Sequence, residues 1–187
     1  DPGREAASLL SFALGKDRAF LIAHPEYSLL GGEAELFDQI IRRRAGREPF
    51  HHIVGVKEFY GLDFKVSADV LIPRPETEML VARSIEILAG KEGPTFCEVG
   101  VGSGCIAISV LHHSGAARAV GLERSESALA IARFNAEQHG VLERFRLVSS
   151  DVFSSLDNDR FDLIVSNPPY IPLADIQNKD SKRYSEA

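Results

Sequence analysis

The segment 161–170 reads FDLIVSNPPY and constrains the fold more than any other stretch. Its short apolar, β-branched run predicts a buried strand. Two successive prolines cannot continue a central strand, so the chain leaves the sheet at Asn167. An amide, a rigid turn and an aromatic ring then stand at a strand's carboxyl end. Ligands of open α/β sheets bind outside such ends.

The pattern upstream predicts the same sheet. From Pro94 onward, strands over 95–99, 118–122, 144–148 and 161–165 alternate with helices over 105–112 and 125–139. Strand–helix alternation with short turns predicts a parallel sheet with helices on its faces. Residues 5–46 are different. Leu9, Leu10, Ala13 and Leu14 suit one short helix, and Phe20, Leu21 and Ala23 suit a second that stops at Pro25. A third, over 33–44, turns Leu36, Phe37, Ile40 and Ile41 inward. Its end carries Arg42, Arg43, Arg44 and Arg47; they suit a helix C-terminus, or else a contact surface for an acidic or ribonucleoprotein partner. Pro49 marks a border. Runs 52–60 and 62–66 around Gly61 predict a hairpin, and a helix is expected from about Glu76. The division is a helical unit over 1–48, a hairpin linker over 49–72 and an α/β domain over 73–187.

Composition removes several functions. The chain has 187 residues, 44% apolar and 26% charged, enough for one core plus a small satellite. Its net charge of -6 excludes a protein that wraps nucleic acid through phosphate contacts alone. Cys97 and Cys105 lie in apolar segments and read as reduced, buried thiols. No apolar run has the length of a membrane span. His51 and His52 are adjacent, and in a strand would face opposite ways. Neither they nor any HxxxH, CxxC or paired-carboxylate spacing supports a metal site or hydrolase. Arg74, between two prolines, suits a structural ion pair or a wall of the ligand site.

The run Glu98-Val99-Gly100-Val101-Gly102-Ser103-Gly104 follows a strand and opens a helix. Glycines there allow a tight turn and close backbone approach to a ligand. A dinucleotide fingerprint needs a third glycine where Cys105 stands. A nucleoside without a pyrophosphate therefore fits better. Glu123, ending the next strand, can accept ribose hydroxyls. Asp151, after the third, can accept from an adenine amino group while Val152 and Phe153 supply apolar contact.

An amide nitrogen is a poor nucleophile because its lone pair is delocalised. A site that methylates one must hold the NH2 group in line with the methyl donor. The Asn167 side-chain carbonyl and the Pro168 backbone carbonyl are two acceptors for two hydrogens of one NH2 group. Pro169 stiffens the turn, and Tyr170 can lie against a planar amide. Placement and a prearranged polar environment would supply most of the rate. The same chemistry serves adenine N6, so these residues point to an amino-group methyltransferase acting on protein or nucleic acid.

The chain resembles the bacterial peptide chain release factor glutamine N5-methyltransferases, the PrmC or HemK family. The resemblance rests on REPF at 47–50, GVKEFYGL at 55–62, LIPRPETE at 71–78, the 98–104 glycine run and SNPPY at 166–170. It implies a Rossmann-like class I methyltransferase sheet preceded by a helical domain that helps recognise the release factor. It implies S-adenosylmethionine (SAM) as donor, S-adenosylhomocysteine as product, and the glutamine of a Gly-Gly-Gln tip as acceptor. Gly100, Gly102 and Gly104 would flank the methionine part of SAM, Glu123 would hold ribose and Asp151 the adenine, with Glu98, Val101 and Val152 also binding the cofactor. Asn167, Pro168, Pro169 and Tyr170 would hold the glutamine amide, Asn167 also facing the cofactor. The family's sheet order is 3-2-1-4-5-7-6, and only strands 1 to 4 are expected in this chain, which implies that the rest of the domain lies outside it. A cytoplasmic monomer with no nucleic-acid substrate and no membrane contact is expected. The alternative is an adenine-N6 methyltransferase acting on DNA or RNA.

Overall fold

The computed structural model describes residues 2–168, which fall into two compact units meeting between Gly55 and Val56. The first is helical: α1 (Pro2–Leu14), α2 (Arg18–Ala23), α3 (Gly31–Ala45) and α4 (Phe50–Val54). Asp17 starts α2 by accepting from the Phe20 N–H at 2.8 Å, which satisfies an otherwise orphaned helix donor. Glu33 starts α3 by accepting from the Leu30 N–H at 2.9 Å. Leu9, Ile40 and Ile53 form the buried centre, with Ala13, Phe37, Ile41, Phe50 and Val54 packed around it. Three of the clustered arginines pair inside this unit: Arg42 with Asp38, Arg43 with Glu48 and Arg44 with Glu5.

Here the structure corrects the sequence reading. Residues 52–60 are not one strand of a hairpin, because α4 occupies 50–54. Pro49 opens that helix instead of bordering the unit, and His51 and His52 lie in it. Phe50, Ile53 and Val54 have the i, i+3, i+4 spacing that sets one helical face on a core. Gly55, at φ 78°, ends the helix in the left-handed conformation and donates to His51 O at 2.8 Å.

The second unit opens with the antiparallel hairpin β1 (Val56–Phe59) and β2 (Leu62–Lys65). Tyr60 and Gly61 turn it with φ of 52° and 75°, which matches a primed two-residue turn. The hairpin buries Phe59 and Phe64 in the α/β core and is part of that unit, not a separate linker. A 3-10 turn, Pro75–Thr77, leads into α5 (Glu78–Leu88). Then come β3 (Thr95–Val99), α6 (Cys105–His113), β4 (Arg118–Glu123), α7 (Glu126–Gln138), β5 (Phe145–Ser149) and β6 (Leu163–Ser166).

The four strands run parallel in the order β5-β4-β3-β6. This is the 3-2-1-4 arrangement expected of the family's first four strands. In β3 the consecutive residues Phe96, Cys97 and Glu98 are all buried, as in a strand covered on both faces. β6 starts two residues later than expected. Asp162 is taken out of the strand by its carboxylate, which accepts from the Thr95 N–H at 2.9 Å and from Lys91 Nζ at 3.1 Å.

Two polar side chains, the buried Asn135 and the half-buried Arg144, hold the layers. Asn135 Nδ2 donates to Lys65 O and Ser103 O, and its Oδ1 accepts from the Lys65 N–H, so α7 is stapled to β2 and to the glycine turn. The Arg144 guanidinium donates to the carbonyls of Leu111, Ser114 and Ala117. These lie at and just beyond the end of α6, where helix carbonyls lack intrahelical partners. Neither residue stands out in the sequence.

Candidate active site

Four parallel strands deliver their carboxyl ends to one edge. The chain proceeds from β3 outward through β4 to β5, then returns to the other side of β3 as β6. The strand order therefore reverses between β3 and β6, and a ligand crevice forms at such a switch point. A cavity of about 490 Å³ lies there, within the range that holds small molecules.

Gly100, Gly102, Glu123, Asp151, Val152, Asn167 and Pro168 all line this cavity. The structure thus brings together acids, glycines and the strand exit from four separate stretches of chain. Glu98, Val101 and Gly104 do not line it. Val101 is buried in the core. Gly104, at φ 81°, is where α6 begins, and a Cβ there would meet Ile108 Cδ1 at 2.7 Å. Its lack of a side chain serves helix packing. Pro169 and Tyr170 lie outside the described residues.

Glu98 sits beneath the turn. Its carboxylate accepts from the Ala107 N–H at 2.9 Å, in the first turn of α6. Burial, reinforced by the nearby charge of Glu123, pushes its acid up to about 8 even though the Ala107 bond favours ionisation. The group is protonated at neutral pH, and so adds no full charge to a buried layer. Burial likewise pushes the thiols of Cys97 and Cys105 up to about 11 and about 12. Both are free and buried, which leaves them inert.

Glu123 bridges two turns. One oxygen accepts from the Gly102 N–H at 3.1 Å, and the other from the N–H groups of Arg124 at 2.8 Å and Ser125 at 3.0 Å. The N–H groups of Gly100 and Val101 donate to Leu122 O at 2.8 and 3.3 Å, so three bonds tie the turn after β3 to the end of β4. Gly102 holds a φ of 55° that few side chains tolerate.

The third wall is the loop after β5. Ser150 Oγ donates to Val152 O at 2.8 Å and accepts from the Ser155 N–H. Val152 has a φ of 51° and is half-exposed. A β-branched residue in that conformation costs about 1–3 kcal/mol and persists only where its surroundings hold it. The fourth wall is the exit of β6. Ser166 Oγ donates to Val99 O at 2.8 Å, and Asn167 Nδ2 donates to Thr77 Oγ1 at 3.1 Å.

Asp69, Val70, Leu71, Ser150 and Ser166 also line the cavity, and sequence reasoning did not place them there. The only signals among them were Leu71 and Ser166, which open the LIPRPETE and SNPPY segments. Val70 packs with Val66, Ala128 and Ile131, which brings residues 69–71 over the start of α7.

The chain matches the family described as "Methyltransferase small domain" over residues 78–180, and it belongs to that family. Residues 1–55 match the "PrmC N-terminal domain". A relative from Geobacter sulfurreducens named "Release factor glutamine methyltransferase" is 43% identical over 173 residues, which are 92% of this chain and 60% of that protein. One of the same name from Chlorobaculum tepidum is 41% identical, over 94% of this chain and 63% of that one. The chain thus spans about three fifths of the length of these curated relatives. A crystal structure of the SAM Dependent Methyltransferase from Agrobacterium tumefaciens superimposes with a TM-score of 0.51 at 15% identity, covering 61% of this chain and 39% of that one. That likeness concerns the fold.

Proposed function

We propose that this chain forms the cofactor-binding half of a SAM-dependent enzyme that methylates the glutamine side-chain amide in the Gly-Gly-Gln tip of a peptide chain release factor. The release factor is its partner, with no nucleic-acid substrate and no membrane contact, and the enzyme works as a cytoplasmic monomer. The names of the relatives support the substrate. The observation that carries the chemistry is the Asn167–Pro168 exit lining the same cavity as Gly102 and Glu123.

The residues present fit SAM. Glycine backbone at Gly100 and Gly102 leaves the β3 end of the cavity open to the amino-acid part. An ionised carboxylate has about four acceptor sites, and three backbone bonds already use those of Glu123. One ribose hydroxyl can be added directly. A second needs the 3.1 Å Gly102 bond, the longest of the three, to yield. Val70, Leu71 and Val152 give apolar contact for a base, and Asp151 can accept from its amino group. When bound, SAM supplies an electrophilic methyl group.

The protein's part is placement. Asn167 Oδ1 and Pro168 O accept the two hydrogens of the glutamine NH2 group and fix its nitrogen on the line of attack. With SAM bound, the nitrogen would take the methyl group as the donor's sulfur–carbon bond breaks and a thioether leaves, and one amide proton would pass to solvent afterwards, so no strong base is required. Glu98, Val101 and Gly104 support the turn from below.

Asn167→Ala in the intact protein tests this. Methyl transfer from labelled SAM to a release factor should fall roughly 100-fold or more, as for loss of a prearranged polar group, with SAM affinity nearly unchanged. Wild-type rates in the variant, or label appearing on DNA adenine in place of the release factor, would overturn the proposal.

A further inference from the structure

The Asn167 carboxamide is anchored by a residue that does not line the cavity. Its Nδ2 donates to Thr77 Oγ1 at 3.1 Å, across 90 positions of sequence. Thr77 is 7% exposed, and stands immediately before α5. A threonine there ordinarily turns its oxygen to a free N–H of its own helix. Thr77 makes no such cap bond. Its hydroxyl serves the far strand exit instead. The backbone beneath it is held by the 3-10 turn, in which the Thr77 N–H donates to Arg74 O at 3.0 Å, and Pro75 limits the freedom of that turn.

A carboxamide is planar, with a donor at one end and an acceptor at the other. Anchoring Nδ2 therefore decides what the other end offers. Rotated by half a turn, Asn167 would present N–H donors to a substrate NH2 group that is itself a donor. Resting on the methyl transfer proposed above, we infer that Thr77 is a positioning residue whose hydroxyl holds Asn167 with Oδ1, not Nδ2, available to the substrate amide. It touches neither substrate nor cofactor. Its contribution is to hold the carboxamide in place before the substrate arrives, with Nδ2 on the Thr77 hydroxyl and Oδ1 left over, so its loss appears in kcat more than in cofactor binding.

Thr77→Val keeps the branched shape and deletes the acceptor; Thr77→Ser keeps the hydroxyl. In the intact protein, T77V should lower kcat roughly 10- to 100-fold, the scale of a misplaced reacting group, while SAM affinity moves by no more than about twofold. T77S should restore most of the rate. Side-chain amide NMR gives a readout independent of turnover. One Asn167 Nδ2 proton should exchange slowly in wild type and T77S, and rapidly in T77V. An unchanged kcat in T77V, T77S failing as T77V does, or identical Asn167 signals in all three proteins would overturn the role. If wild type itself transfers no methyl group to the release factor, the proposed function fails. Thr77 is then judged by the Asn167 signals alone.

Discussion

The helical unit and the α/β unit are held together by different means. Among the described residues, the first has three buried apolar residues at its centre, Leu9, Ile40 and Ile53, and the second has nineteen in one cluster. A buried aliphatic or aromatic side chain contributes about 1.5–3 kcal/mol, so the helical unit has little to lose. It adds polar ties: Arg44 reaches both the Glu5 carboxylate and Glu48 O, and Arg43 pairs with Glu48. The α/β unit spends its surplus of apolar burial on costly features. These are a buried carboxyl at Glu98, a strained Val152 and a buried asparagine that must make three bonds.

The contrast can be broken most forcefully at Ile40. Ile40→Ala should cost about 2–5 kcal/mol and unfold residues 1–55 at lower denaturant than the rest. Two separate transitions, followed by hydrogen exchange, would show it; a single shifted transition would mean the units do not differ in autonomy. The next effect belongs to Glu98. Its acid stands at about 8 in the fold against an ordinary 4.5. Between those values the native state holds a proton that the unfolded chain has released. Stability is therefore fullest below the lower value and falls as pH rises, by up to ~1.4 kcal/mol per unit, until ionisation is complete above about 8. Glu98→Gln should flatten that slope, so that urea midpoints at pH 6 and pH 8 coincide. Equal slopes in both proteins would show that Glu98 is not the buried acid described.

Smaller effects sharpen the same contrast. A Cβ at Gly121 would lie 2.7 Å from Phe145 Cε2 and 2.7 Å from Val101 Cγ2. Gly121→Ala should cost about 1–3 kcal/mol by overpacking, lowering the melting of the α/β unit alone. In the helical unit, Glu5→Gln removes a half-exposed ion pair and should cost about 0.5 kcal/mol. A loss as large as that of Ile40→Ala would mean that polar ties, not the apolar centre, hold this unit.

Local patterns carried much of this structure. Alternating strands and helices, the capping residues Asp17 and Ser125 (the latter accepting from the Ala128 N–H at the start of α7), and the double proline after Asn167 are decided by neighbours in sequence. The acids at strand ends were legible for the same reason: in a parallel sheet every carboxyl end faces one edge, so Glu123, Asp151 and Asn167 must lie near one another. Residues 52–54 were misread because a short apolar run suits strand and helix alike, and only packing on Leu9 and Ile40 chooses.

What the sequence alone determined was the kind of sheet and which residues stand at its ligand edge, since periodicity and turn chemistry are local properties. Tertiary structure decided the rest. It set Glu98 beneath the cavity instead of in it, gave Asn135 its three bonds, and turned the Thr77 hydroxyl from its own helix to Asn167. Each of these depends on a partner far away in the chain. Burial and hydrogen-bond partnership are properties of the packed molecule, and no pattern within a single stretch records them.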